Sequence, residues 1–194
     1  MRRILLCLLF STVLLPAPLI EVATSKPKDV VSYLRRSFPN TSLNIVIYKN
    51  YTHSYLSING KFFGKPKWDA KFKNYLKESV KNALKEEKST KIQLDSLSID
   101  EKGGELIFTF SPCNYSNEPL RGKWVAFIVD KDGFLLHKVE GKVELPAGAC
   151  GRPITFKLRD KYKREKIDFI VAISDEKGRY KCSKSTVEME VKNR

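Results

Sequence analysis

From Lys91 to Val191 the chain alternates apolar and polar residues in short runs, interrupted by turns that carry glycine. Leu106, Phe108 and Phe110 alternate with Ile107, Thr109 and Ser111; Ile154, Phe156 and Leu158 alternate with Thr155, Lys157 and Arg159; Ile167, Phe169, Val171 and Ile173 follow the same rule. A period of two places the apolar members of each run on one face of a strand, and that face needs a second layer to cover it. Short strands at this spacing predict a two-sheet sandwich or barrel over residues 91–191. Strands are expected at 104–112, 123–130, 134–145, 153–158, 166–174 and 180–191, with a first one at Ile92–Ile99.

One of these runs differs from the rest. Trp124, Ala126 and Ile128 are apolar on one side of their strand, and Val125, Phe127 and Val129 on the other. A strand greasy on both faces is central and covered twice, so the N-terminal part of the chain or a second subunit is expected to lie on its second face. In Ile92–Ile99 the phase slips between Leu94 and Leu97, and in Tyr180–Val191 between Cys182 and Val187. Such slips predict bulges at edge strands, and an open edge accepts a partner strand. Asp100-Glu101-Lys102-Gly103, Asp130-Lys131-Asp132-Gly133 and Asp175-Glu176-Lys177-Gly178 each suit a type I turn closed by a left-handed glycine. The second does not extend to a calcium loop, because Val139 stands where a bidentate acid is required.

The N-terminal part reads as a small α/β layer over residues 26–88, joined to the sandwich by the short charged link Glu86–Thr90. Asp29–Phe38 is a helix capped by Asp29, with Val30, Val31, Tyr33, Leu34 and Phe38 as its apolar stripe and Pro39-Asn40 as its stop. Leu43–Tyr48 is a short strand, and Asn59-Gly60 joins Ser54–Ile58 to Lys61–Phe63 in a hairpin, since that dipeptide accepts positive φ. Trp68–Glu87 is a long helix that buries Trp68, Phe72, Tyr75, Leu76, Val80, Ala83 and Leu84, with Asp69 in its first turn.

Charge limits the partners. Lysine and arginine number 36 against 22 acidic residues, a net +14. This field attracts anions without selecting one. The long helix carries Lys73, Lys77, Lys81 and Lys85 at intervals of four, a spacing that costs a few tenths of a kcal/mol per like-charged pair. The series is either a solvated face or a contact for an anionic surface, with membrane contact peripheral. Tyr48, Tyr51, Tyr55 and Phe62 interleave with Lys49, Lys61 and Lys65 as a stacking groove would, yet an exported address argues against nucleic acid. Abundant lysine and glutamate beside a lone glutamine, Gln93, is also the balance of proteins from hot environments.

That address comes from residues 1–25. Arg2 and Arg3 precede an apolar run from Ile4 to Leu15 and then Pro16-Ala17-Pro18, the layout of a signal peptide cut after Ala17 or after Ser25. The alternative is an uncleaved N-terminal anchor. Cys7 lacks the preceding small residues of a lipidated cysteine. Of the four cysteines, Cys113, Cys150 and Cys182 remain, and strands running alternately up and down bring all three toward one pole. A disulfide from Cys113 or Cys150 to Cys182 is expected there, leaving one free thiol. A three-thiolate metal site is the alternative, though no histidine neighbours it and no Cys-x-x-Cys pair exists.

Strand, helix, strand, the Ile58-Asn59-Gly60-Lys61 hairpin and a long helix, with Leu19–Ser25 in the place of a first strand, resembles a thioredoxin-like fold. The whole plan is similar to secreted proteins of the Omp28 type, which join such a module to an immunoglobulin-like sandwich. Ser25-Lys26-Pro27-Lys28 stands where that family places Cys-x-x-Cys, and no proline precedes the Tyr55–Ile58 strand where its cis-proline lies. The resemblance therefore implies a scaffold without the dithiol chemistry. Trp124 resembles the strand C tryptophan of immunoglobulin domains, but no cysteine in Ile167–Ser174 supplies their inter-sheet disulfide.

No catalytic constellation is present. His53 precedes the hairpin and His137 shares the inward phase of Leu135, Val139, Val143 and Leu145, and neither has a sequence-placed nucleophile. G-x-S-x-G, H-E-x-x-H and phosphate-cradling glycine loops are missing, and pairs such as Glu86-Glu87 have nothing to shift them. Asn40, Asn50 and Asn114 open N-x-[ST] triplets. The expectation is an exported α+β protein without a cofactor or metal, non-catalytic, that binds a protein or an anionic envelope surface. Its enzyme-class alternative is thiol exchange through Cys150 or Cys182.

Overall fold

The computed structural model describes residues 17–24, 27–49, 55–64, 67–89, 91–159 and 166–188. Its elements follow in the order β1 (Leu19–Ala23), α1 (Pro27–Ser37), β2 (Asn44–Tyr48), β3 (Tyr55–Ile58), β4 (Lys61–Phe62) and α2 (Ala70–Ser89). The sandwich strands are β5 (Ile92–Lys102), β6 (Glu105–Asn114), β7 (Leu120–Asp130), β8 (Leu135–Leu145), β9 (Ile154–Arg159), β10 (Lys166–Asp175) and β11 (Tyr180–Glu188). The apolar run Ile4–Leu15, His53, Tyr51 and Lys65 lie outside the described residues. No helix among those described is long and apolar enough to cross a membrane.

The described residues form three sheets: a mixed sheet β2-β1-β3-β4, a middle sheet β11-β10-β7-β8 and an end sheet β5-β6-β9. Parity within the strands decides what each face covers. Phe108, Phe110, Trp124, Ala126, Ile128, Phe169 and Val171 fill the space between the middle and end sheets, where Phe108, Phe110, Phe156 and Phe169 meet ring to ring. Phe127, Val129, Ile170, Ala172 and Cys182 point the other way, against Leu19 and Val46 of the mixed sheet. The remaining face of the mixed sheet, with Ile20, Val22, Leu56 and Ile58, is covered by Val30 and Leu34 of α1 and Leu76, Val80 and Ala83 of α2. The second face of β7 is thus covered by the N-terminal layer.

Local chemistry sets the turns. Asn59 (φ 50°) and Gly60 (φ 74°) form the expected tight turn, and Asn59 also accepts from Leu19 N through its Oδ1 at 3.0 Å, tying the hairpin to β1. Asp130 Oδ1 accepts from the amides of Asp132 and Phe134, and Asp175 Oδ1 from those of Lys177 and Arg179. Gly133 then closes one turn at φ 89° and docks it, since Ile47 N donates to Gly133 O at 2.8 Å. The Asp100 turn differs: β5 continues to Lys102, and Gly103-Gly104, both at positive φ, make a two-residue loop. Two glycines in succession satisfy a type I′ turn better than the longer loop that Asp100 would begin.

Other expectations are corrected. α1 starts at Pro27, whose fixed φ and missing N–H suit a first helical position, so Asp29 is a first-turn acid and not the cap. Asp69 is the cap of α2, accepting from Phe72 N at 2.9 Å, and Tyr75 is 56% exposed instead of buried. α2 runs on to Ser89, so helix fills most of the Glu86–Thr90 link. The slip in β5 is a bulge between Asp95 and Ser98, with Ser96 at φ 55°. In β11 there is none: the ladder to β10 is continuous from Tyr180 to Glu188. Cys182 and Val187 sit on opposite faces because they serve different cores. A bulge at the start of β8 likewise turns Leu135 to the mixed-sheet side while Val139 and Val143 stay inward.

Gly141 on β8 lies under Trp124, where an added Cβ would meet the indole at 2.6 Å. Gly141→Ala is expected to displace that ring and lower stability by about 1–3 kcal/mol, measured as a reduced urea midpoint at unchanged slope.

Candidate functional site

The loops that close one end of the sandwich converge, as alternating strand direction requires. The sulfurs, however, pair differently from the expectation. Cys113 is bonded to Cys150, and Cys182 is buried and takes no part in the disulfide. Strand position fixes the end at which a cysteine lies, but parity fixes its face. Cys182 sits opposite Ala172, on the face turned toward the mixed sheet, where Asn44 Nδ2 approaches its sulfur at 3.2 Å. Cys113 ends β6 in the end sheet, opposite Cys150 across an isolated bridge.

Around the disulfide stand groups the sequence reading did not single out. Asp95 Oδ2 lies 3.2 Å from Cys113 Sγ and accepts from Tyr115 Oη at 3.2 Å. The carboxylate pushes the Tyr115 phenol above its ordinary pKa. The only signal for Asp95 was the phase slip beginning beside it, which marks a bulge that re-aims side chains. Asp95 and the two sulfurs lie close enough to share an ion, but sulfurs bonded to one another offer no thiolate to a metal.

Polar bonds hold this end together. Asn114 is fully buried: its Nδ2 donates to Glu118 O and Pro146 O, and its Oδ1 accepts from Ser116 N and Oγ. Arg179 reaches Asp175 at 2.6 Å, Ser116 at 2.5 Å and Pro119 O at 2.7 Å, joining the β10–β11 turn to the β6–β7 loop. The Asn-x-Ser triplet at Asn114 is therefore a structural hub. This end is a frame of polar groups already bonded to one another.

The lysine series of α2 is uneven. Lys73 is half-buried over the rings of Trp68 (5.4 Å) and Tyr33 (5.9 Å), and Lys81 pairs with Glu78 at 2.7 Å. That ammonium, followed by the nearby Lys77 and Lys85, holds the Glu78 carboxyl below its ordinary range. Lys73 also borders an open cleft of ≈ 720 Å³ with Tyr33, Trp68, Arg35, Arg36 and Asp29. Three cations against one carboxylate give it a positive balance. The aromatic row of the mixed sheet is less available: Tyr48 and Tyr55 are half-buried, Tyr48 Oη donates to Glu21 at 2.6 Å, and burial together with that carboxylate drives its pKa strongly up. Of the described members of the row Phe62 alone is exposed, at 68%. His137 stands opposite Ile128 on the middle sheet's edge strand, with no cysteine or serine bonded to it among the described contacts.

Accessibility orders the sulfurs: Cys150 is exposed, Cys113 buried, Cys182 buried. In the native protein an alkylating reagent is expected to label none of the three. Cys182 should react once the chain is denatured, and Cys113 and Cys150 only after reduction, as read by peptide mass mapping.

The sequence matches no known family model and no curated protein. Among solved structures, a Bacteroides uniformis β-glucuronidase is similar over 50% of this chain and 13% of its own, at 14% identity and a TM-score of 0.38. A DUF3823 family protein from Bacteroides ovatus is similar over 52% and 56%, at 9% identity and a TM-score of 0.37, and OgpA from Akkermansia muciniphila over 50% and 28%, at 10% and 0.36. This chain spans 13% to 56% of the lengths of those proteins. Likeness at these values assigns it no function.

Proposed function

We propose that this chain is an exported, non-catalytic envelope protein that binds a protein or an anionic surface through the basic side of its N-terminal layer. The observation that carries the reading is the cationic α1–α2 surface, where Arg35, Arg36 and Lys73 border one cleft and Lys77 and Lys85 extend the charge along the helix. A field of this sign draws anions, and fixed helices present it without an ordering cost.

In this reading the N-terminal layer is a thioredoxin-like scaffold without its dithiol, and the β5–β11 part an immunoglobulin-like sandwich. Support for the first is the strand order β2-β1-β3-β4, with β2 parallel and β3 antiparallel to β1. Support for the second is the pairing of β5-β6-β9 against β11-β10-β7-β8. Thiol exchange is disfavoured by the sulfur environments. Attack on the exposed Cys150 would expel Cys113 as a thiolate buried beside the Asp95 carboxylate, a poor leaving group.

Two measurements test the proposal. Vesicles containing phosphatidylglycerol should retain the protein at low salt and release it at high salt, and Lys77→Glu with Lys85→Glu should weaken retention by about thirtyfold or more. Salt-independent retention, or none together with no salt-sensitive protein partner from envelope extracts, rejects the reading. Export makes a separate prediction. β1 is an interior strand of the mixed sheet, so cleavage after Ser25 would remove it. N-terminal sequencing of the exported protein should find a start at or before Leu19, and a start at Lys26 would contradict the scaffold.

A further inference from the structure

The two ends of the sandwich sheets are closed unequally. β5 and β11 lie against each other and close one side. β8 ends the middle sheet on the other side, and its far edge carries no strand along Lys138–Glu144 among the described residues. Its one further bridge, from Phe134 to Ile47 of β2, falls before the strand begins. Nearby, Leu136 and Val139 of β8 and Ile154, Phe156 and Leu158 of β9 are only partly buried against the core. An edge of this length is a template for another strand.

Its side chains specify which strand. On the outward face β8 reads Lys138, Glu140, Lys142, Glu144, all exposed; on the inward face it reads Val139, Gly141, Val143. A second copy laid antiparallel on this edge, with the twofold axis at Gly141, would set Lys138 opposite Glu144, Glu140 opposite Lys142, and the two reciprocal pairs likewise. All four outward pairs are of opposite charge, and inward Val139 meets Val143. Slipping the register by one residue on each strand in either direction puts Glu140 against Glu140 with Lys138 against Lys142, or Lys142 against Lys142 with Glu140 against Glu144. Opposite charges across a ladder stabilise it and like charges oppose it, so the register centred on Gly141 is favoured over its two neighbours and forms the most opposite-charge pairs.

The isolated chain also carries a repulsion that this pairing would relieve. Lys142 stands directly opposite Lys123 of β7, a like-charged cross-strand pair on an exposed face. In the paired sheet Glu140 of the second copy would flank Lys142 from the other side. The Lys138–Glu140 and Arg121–Glu144 contacts within the chain are exposed, and such pairs redirect at little cost. We propose that β8 is a self-complementary edge through which two copies of this chain join their middle sheets into one continuous sheet about a twofold axis.

The test uses charge reversal on the exposed face, which leaves the core untouched. Wild-type protein should sediment as a concentration-dependent dimer. Glu140→Lys alone and Lys142→Glu alone each turn two of the four pairs like-charged and should raise the dissociation constant by about tenfold or more. Mixed in equal amounts, the two variants present four opposite-charge pairs to each other and should reassociate as a heterodimer. A wild-type chain that stays monomeric at its highest soluble concentration overturns the proposal, as does a dimer that either single variant leaves intact. Variants that dissociate but fail to reassociate when mixed overturn the register and the proposal with it.

Discussion

The fold rests on a middle sheet that is apolar on both faces. β7 and β10 place alternate side chains into two different cores: Trp124, Ala126, Ile128, Phe169 and Val171 into the sandwich, Phe127, Val129, Ile170 and Ala172 against the mixed sheet. Remove either covering layer and a row of large side chains is left in water, at about 1.5–3 kcal/mol for each of the larger ones. The helices, mixed sheet, middle sheet and end sheet are therefore interdependent, and the basic surface of α1 and α2 is held in fixed relation to the sandwich. α2 passes to β5 with only residues 90 and 91 between them, which adds covalent rigidity to that relation.

Most of this was legible because strand parity is a strong signal. The double-sided run Trp124–Val129 announced a second covering layer, and the alternation in Leu106–Phe110 and Ile167–Ile173 placed their inward residues correctly. What escaped was information that needs the third dimension. The apparent slip in β11 came from reading two cores as one, since Cys182 and Val187 are each in phase with a different layer. The disulfide follows the same rule: alternating strand direction brings Cys182 toward the pole of the other sulfurs, but its face turns it into the mixed-sheet core, leaving Cys113 to Cys150. Tyr75 shows the converse, a residue of α2 at the lateral edge of the apolar stripe that stays exposed and meets Phe63 at 5.6 Å.

The polar features divide into those that hold the frame and those that face outward. Asp130 and Asp175 use their carboxylates on turn amides, and Arg179 and Asn114 knit the loops at one end. Each of these is bonded to the chain itself, so none is spare for a ligand. The outward features are the cationic helices and the alternating charges of β8. The proposed functions draw on these alone, because binding uses groups that folding has left available.

Asn114 carries one further consequence. Its side chain makes four hydrogen bonds inside the loop frame while heading an Asn-x-Ser triplet, so the amide nitrogen that an oligosaccharyltransferase would modify is already committed to carbonyls. In a glycosylating secretory pathway, sugar attachment and maturation would compete for the same atom. A recombinant host that decorates nascent chains would divert this protein before its loops could assemble, whereas a cytoplasm or periplasm without that enzyme leaves the frame free to close.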